Sequence, residues 1–129
     1  MFIDATEIFE ALQVNQSVKT LDISFNPIGT MNRKNLNVFT TSKISIEPGN
    51  DSKIEITEDY LLALKEMFIQ NKTLIHCDFS HCGLSLYECE IMNEGLKKNH
   101  TILGIHMVGN KMNVDSLGFL KSDELIPSL

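Results

Sequence analysis

Apolar residues along this chain keep two alternating periods. Ile8, Ala11 and Leu12, then Leu64, Met67 and Phe68, then Met92, Gly95 and Leu96 share the spacing i, i+3, i+4, one apolar stripe on a helix. Behind each stripe comes a short strand pattern, in which Leu21 and Ile23, Cys77 and Phe79, or Ile105 and Met107 alternate with residues of the opposite face. Helix starts are signalled as well. Asp4-x-x-Glu7 and Ser85-x-x-Glu88 have the form of capping boxes, and Thr57 is followed by Glu58 and Asp59, acidic charge at the positive end of a helix dipole.

Between stripe and strand stands a phrase that recurs as "VNQSV", "QNKTL" and "KNHTI". Each contains an Asn-X-Ser/Thr triplet, and the triplets begin at Asn15, Asn71 and Asn99, spaced by 56 and 28 residues. The downstream residues keep the same time: Val18-x-x-Leu21-x-Ile23-x-x-Asn26-x-Ile28, Leu74-x-x-Cys77-x-Phe79-x-x-Cys82-x-Leu84 and Ile102-x-x-Ile105-x-Met107-x-x-Asn110-x-Met112. All three fit the frame L-x-x-L-x-L-x-x-N/C-x-L. The pattern resembles the ribonuclease-inhibitor-like branch of the leucine-rich repeat family, over residues 4–28 and 57–112. The resemblance implies an α/β fold: a short right-handed solenoid arc with a concave parallel sheet and convex helices. It also implies a protein-binding role, since members of that family mostly bind other proteins. The triplets then read as helix-to-strand turns in which Asn takes the left-handed conformation that ends a helix, rather than as glycan sites.

By length the chain is one domain, 1–129, with clear repeats at about 4–28, 57–84 and 85–112 and a C-terminal cap and tail at 113–129. Residues 29–56 admit two readings. In the first they are a degenerate repeat, with Leu36 and Phe39 in the helical phase and Ile44 and Ile46 in a strand; it is favoured because continuity between the first and later strands asks for a strand there. In the second, Lys43–Ile46 and Lys53–Ile56 are arms of a hairpin turning through "EPGND". The loop Glu47–Ser52 is expected to be exposed in both. After Met112 the frame stops, and Asp115 is expected to cap a short helix whose Leu117, Phe119 and Leu120 cover the end of the core.

Composition narrows the function. A net charge of −6 argues against a nucleic-acid surface, no apolar run is long enough for a membrane span, and no secretory leader pattern is visible in "MFIDATEIFEAL". Three cysteines, two of them on frame positions, point to free buried thiols in a reducing compartment, so a cytoplasmic location is expected. The cluster "HCDFSHC" is the most suggestive chemistry, yet on a strand Cys77 and Phe79 point one way while His76, Asp78 and Ser80 point the other. His76 and Ser80 then lie about 13 Å apart, too far for a nucleophile and its base, and no second ligand pair completes a zinc site. No catalytic residue, metal or cofactor is therefore expected. Cys89, near a helix start, reads as a surface or semi-buried thiol without a role, while His81 and His100 have no evident partner. Met67, Met92, Met107 and Met112 read as core filling.

The outward residues of the three strands are the informative surface: Thr20, Asp22 and Ser24; His76, Asp78 and Ser80; Gly104, His106 and Val108. The family resemblance puts partner contacts on this row. A non-catalytic interaction module or scaffold subunit of a larger assembly is the favoured function, and a regulator of a GTPase through the repeat surface is the alternative. The two would be separated by a GTPase stimulation assay.

Overall fold

The computed structural model describes residues 4–31, 42–45, 55–116 and 120–122. Helix α1 (Thr6–Val14) leads into strand β1 (Thr20–Asp22), and β2 (Ser42–Ser45) and β3 (Glu55–Glu58) follow. Helix α2 (Asp59–Gln70) leads into β4 (His76–Asp78), and α3 (Leu86–Leu96) into β5 (Gly104–His106), after which come β6 (Met112–Val114) and β7 (Leu120–Ser122). Strands β1, β4 and β5 form a parallel sheet in that order, with Thr20 opposite His76 and His76 opposite Gly104. Those pairings are the 56- and 28-residue offsets of the sequence. Helix α2 packs between α1 and α3, so helices and strands form two layers with the core between them.

The central ring of that core is Phe79, fully buried, with Phe68 at 6.0 Å and Phe9 at 6.3 Å between centroids. Leu64, Met67 and Phe68 of α2 and Met92 and Gly95 of α3 are buried as their stripe predicts, and Met107 and Met112 are buried with them. Gly95 has a packing reason, because a side chain there would press on the Lys65 carbonyl of α2. Helix α1 departs from the expected stripe. Leu12 is buried as expected, but Ile8 and Ala11 are exposed and Phe9 is buried instead. The equivalents of Phe9 in the other helices are Lys65 and Asn93, so only α1 has a large apolar residue at this position, and it rolls to bring that ring against Phe79.

Residues 29–56 do not add a repeat to the sheet. Strand β1 pairs directly with β4, while β2 and β3 form a separate antiparallel hairpin with Ile44 opposite Ile56. The favoured reading was thus wrong, and the hairpin reading holds for the strands described. There is no room for an intervening unit: Gly29 N donates to Cys82 O at 3.0 Å, Met31 N donates to Gly83 O at 2.8 Å, and a Cβ on Gly29 would collide with the Gly83 carbonyl. Continuity comes from direct contact of the first and second clear units. Leu36, Phe39 and the Glu47–Ser52 loop lie outside the described residues.

Element ends also differ from expectation. Strand pairing with β2 claims Thr57 and Glu58, so α2 starts at Asp59, which keeps acidic charge in the first turn. At α1 no capping box forms; Asp4 accepts from Thr6 N at 3.0 Å, and its carboxyl is held below the usual range, chiefly by the Thr6 hydroxyl. The Ser85–Glu88 box does form. Its Glu88 is almost fully buried because Oε1 accepts from Ser85 N, Thr30 N and Thr30 Oγ1, tying the first unit to α3. In place of a short capping helix at Asp115, β6 and β7 form an antiparallel hairpin closed by an Asp115–Lys121 ion pair at 3.1 Å, and Leu120 is buried in a strand packed on α3. Leu117 and Phe119 lie outside the described residues.

All three cysteines are free and fully buried, including Cys89, which was expected nearer the surface. Burial pushes the thiols up, to about 12 for Cys77 and about 11 for Cys82 and Cys89, outweighing any helix-dipole effect at Cys89. The folded protein should therefore resist thiol reagents at neutral pH. An Ellman titration is expected to read near zero thiols in buffer and all three in denaturant; rapid native labelling would contradict this burial.

Candidate functional site

The Asn-X-Ser/Thr triplets do lie at helix-to-strand turns, but the reason for Asn is not backbone handedness. Asn15 is extended at φ −67° and ψ 135°, and neither Asn71 nor Asn99 is among the described residues with positive φ. The side chain does the work. Oδ1 of Asn71 accepts from Thr73 N and Leu74 N, both at 2.8 Å, while Nδ2 reaches back to Leu12 O at 2.7 Å and Asn15 O at 3.3 Å. Asn99 repeats this one unit later, accepting from Thr101 N and Ile102 N and donating to Phe68 O and Asn71 O. The hydroxyls of Thr73 and Thr101 donate in the same direction, to Val18 O and Leu74 O. The frame position eight residues after the first apolar residue is a second ladder: Cys82 Sγ donates to Ile23 O, and Asn110 Nδ2 to Phe79 O. These residues are occupied in holding units together.

On that outer face the expected row is in place. Thr20, His76 and Gly104 form one line across the strands, and Asp22, Asp78 and His106 the next. Ser24, Ser80 and Val108 stand where the same offsets put them, just past the strand ends. The missing side chain at Gly104 leaves a lane over which the His76 ring lies, and His76 meets the His106 ring at 4.8 Å between centroids. Asp22 and Asp78 each close the turn that follows their strand, accepting from Ser24 N at 3.0 Å and Ser80 N at 2.9 Å. The Ser80 bond, followed by that residue's hydroxyl and by nearby His106 and His76, holds the Asp78 carboxyl below the usual range. A depressed carboxylate contributes stability above the ordinary Asp pKa and loses it as pH falls through the lowered value.

The sequence reading missed the next line, Phe25, His81 and Gly109. All three have positive φ, at 61°, 55° and 83°. The conformation is imposed by the turn that leaves each strand, and glycine is the residue that adopts it without strain. Gly109 does so, and it leaves room for the His81 imidazole, into which a Cβ would project. Phe25 and His81 are instead strained residues, stacked at 4.7 Å with a 22° interplanar angle, and Phe25 is 74% exposed. His81 thus has the partner it lacked on paper. The 56-residue spacing of Phe25 and His81, one residue before the Asn/Cys position, was the signal that would have found them. His100 is exposed and apart from this group.

The arrangement brings imidazoles, two carboxylates and an exposed ring together on one face of the sheet. Among the described residues no three His, Cys, Asp or Glu side chains converge as metal ligands, and no helix is long and apolar enough to cross a membrane. Comparison with family models, with curated proteins and with solved structures finds no match.

Proposed function

We propose that this chain is a non-catalytic protein-binding module, a subunit of a larger assembly, built as a short arc of leucine-rich-repeat units whose concave sheet face receives the partner. The observation that carries the proposal is Phe25: a large ring, 74% exposed, kept in a left-handed conformation that glycine would take more comfortably. An exposed aromatic held against its backbone preference contributes little to folding, and recognition is the role that accounts for it. Its stack on His81, beside Asp22 and Asp78, gives an apolar anchor with a polar, acidic surround, the usual composition of a protein-binding surface. The hydrogen-bond ladders at the Asn and Cys frame positions support the leucine-rich-repeat reading. Three buried reduced thiols fit a cytoplasmic setting.

Phe25→Gly separates fold from function. Relief of the left-handed strain should leave the thermal midpoint unchanged or slightly raised, while partners recovered by native co-purification with the wild-type chain should be lost. Retention of the same stoichiometric partner by the variant would sink the assignment of this face.

A further inference from the structure

The first unit exposes what the second unit buries. Ile8 is 47% exposed and Ala11 is exposed, whereas their counterparts 56 residues on, Leu64 and Met67, are both at 0%. Val18 and Leu21 are half-buried against 0% for Leu74 and Cys77. These residues share the side of α1 and β1 that faces away from α2 and β4.

Two polar features on the same side state what would fit there. Asn71 and Asn99 each send Nδ2 back to carbonyls of the preceding unit. Asn15 makes the same local turn through Oδ1, to Ser17 N and Val18 N, but its Nδ2 has no acceptor among the described residues. The backbone of β1 shows the same incompleteness. Lys19 O, Ile23 N and Phe25 N are bonded to the β4 side, so by alternation the N–H and C=O groups of Thr20 and Asp22 turn to the other edge. Among the described residues no strand pairs with that edge. The opposite end of the layers is closed, since the β6–β7 hairpin packs Met112 and Leu120 there at 6% and 5% exposure.

We propose that the α1–β1 flank is a docking surface for one further strand–helix unit of the same 28-residue pattern, carried by a partner chain. It adds its strand parallel to β1, lays an apolar helix face on Ile8 and Ala11, and supplies a carbonyl to the Asn15 amide. The proposal deepens the repeat-module reading but uses a different surface from the outer sheet face, so the two fail separately: Phe25→Gly leaves this flank untouched.

The test supplies the unit directly. In the full chain carrying a duplicate of Thr57–Leu84 ahead of Met1, which continues the 28-residue phase, the thermal midpoint should rise and the Thr20 and Asp22 amides should exchange about tenfold more slowly or better. Ala11→Glu should then lower the midpoint of the extended chain while leaving that of the parent chain unchanged, and Asn15→Ala should remove part of the gain. An extended chain no more stable than its parent, or one whose Thr20 and Asp22 amides exchange as before, would overturn the proposal. So would sedimentation of the parent chain as a dimer that Ala11→Glu dissociates, since the occupant would then be a second copy.

Discussion

Phe79→Ala is expected to cost about 3–5 kcal/mol, a large fraction of the stability of a domain this size. The ring is fully buried and lies within 6.3 Å of both Phe9 and Phe68, so it joins the first helix to the second across the sheet. Truncation leaves a cavity bounded by a sheet strand and two helices, which are held by their own ladders and cannot collapse far to fill it. Urea unfolding should show a lower midpoint with an unchanged m-value. A midpoint within experimental error of wild type would mean that Phe79 is not the centre of the core. Phe9→Ala should be smaller, because α1 is flanked by another helix on one side only among the described residues.

Asn71→Ala is the second large effect, at about 3 kcal/mol, and its mechanism is distinct. The side chain is 2% exposed, and alanine removes at once the acceptor for Thr73 N and Leu74 N and the donor to Leu12 O. Each buried backbone group left unmet costs about 1–3 kcal/mol, reduced where water can reach it. The three turns provide an internal control. Asn99→Ala should approach Asn71→Ala, whereas Asn15→Ala should cost only about 1 kcal/mol, because its turn is partly exposed and its amide has no acceptor among the described residues. Equal losses at all three positions would show that the turns act alone and the amide ladder contributes little.

The alternation of helix and strand, the strand register and the direction of each strand side chain were legible in the sequence, because a 28-residue offset fixes which residues are lateral neighbours. Asp78 beside His106 follows from that arithmetic. The insertion was misread for the same reason: 56 is twice 28, and counting cannot tell a vanished repeat from a hairpin of equal length. Contact decided it, through Gly29 lying against Gly83. At the cap, Leu120 covers the end of the core as expected, while Asp115 serves an ion pair across a hairpin as well as it would serve a helix terminus. Of the site, the row of Thr20, Asp22, Ser24, His76, Asp78, Ser80, His106 and Val108 was visible from alternation. Phe25 and His81 were not, since they lie one residue past the alternating pattern and are turned outward by a left-handed backbone that only neighbouring carbonyls impose.

The ladder side chains all donate in one direction. Asn71, Thr73 and Cys82 reach back to the first unit, and Asn99, Thr101 and Asn110 reach back to the second. A unit can thus satisfy its own turn alone, but its ladder side-chain donors find acceptors only once its predecessor is formed. That polarity runs with the order of synthesis: each newly emerged ladder side chain meets completed carbonyls behind it, whereas backbone amides such as Gly29 N and Leu84 N wait for acceptors in the unit that follows.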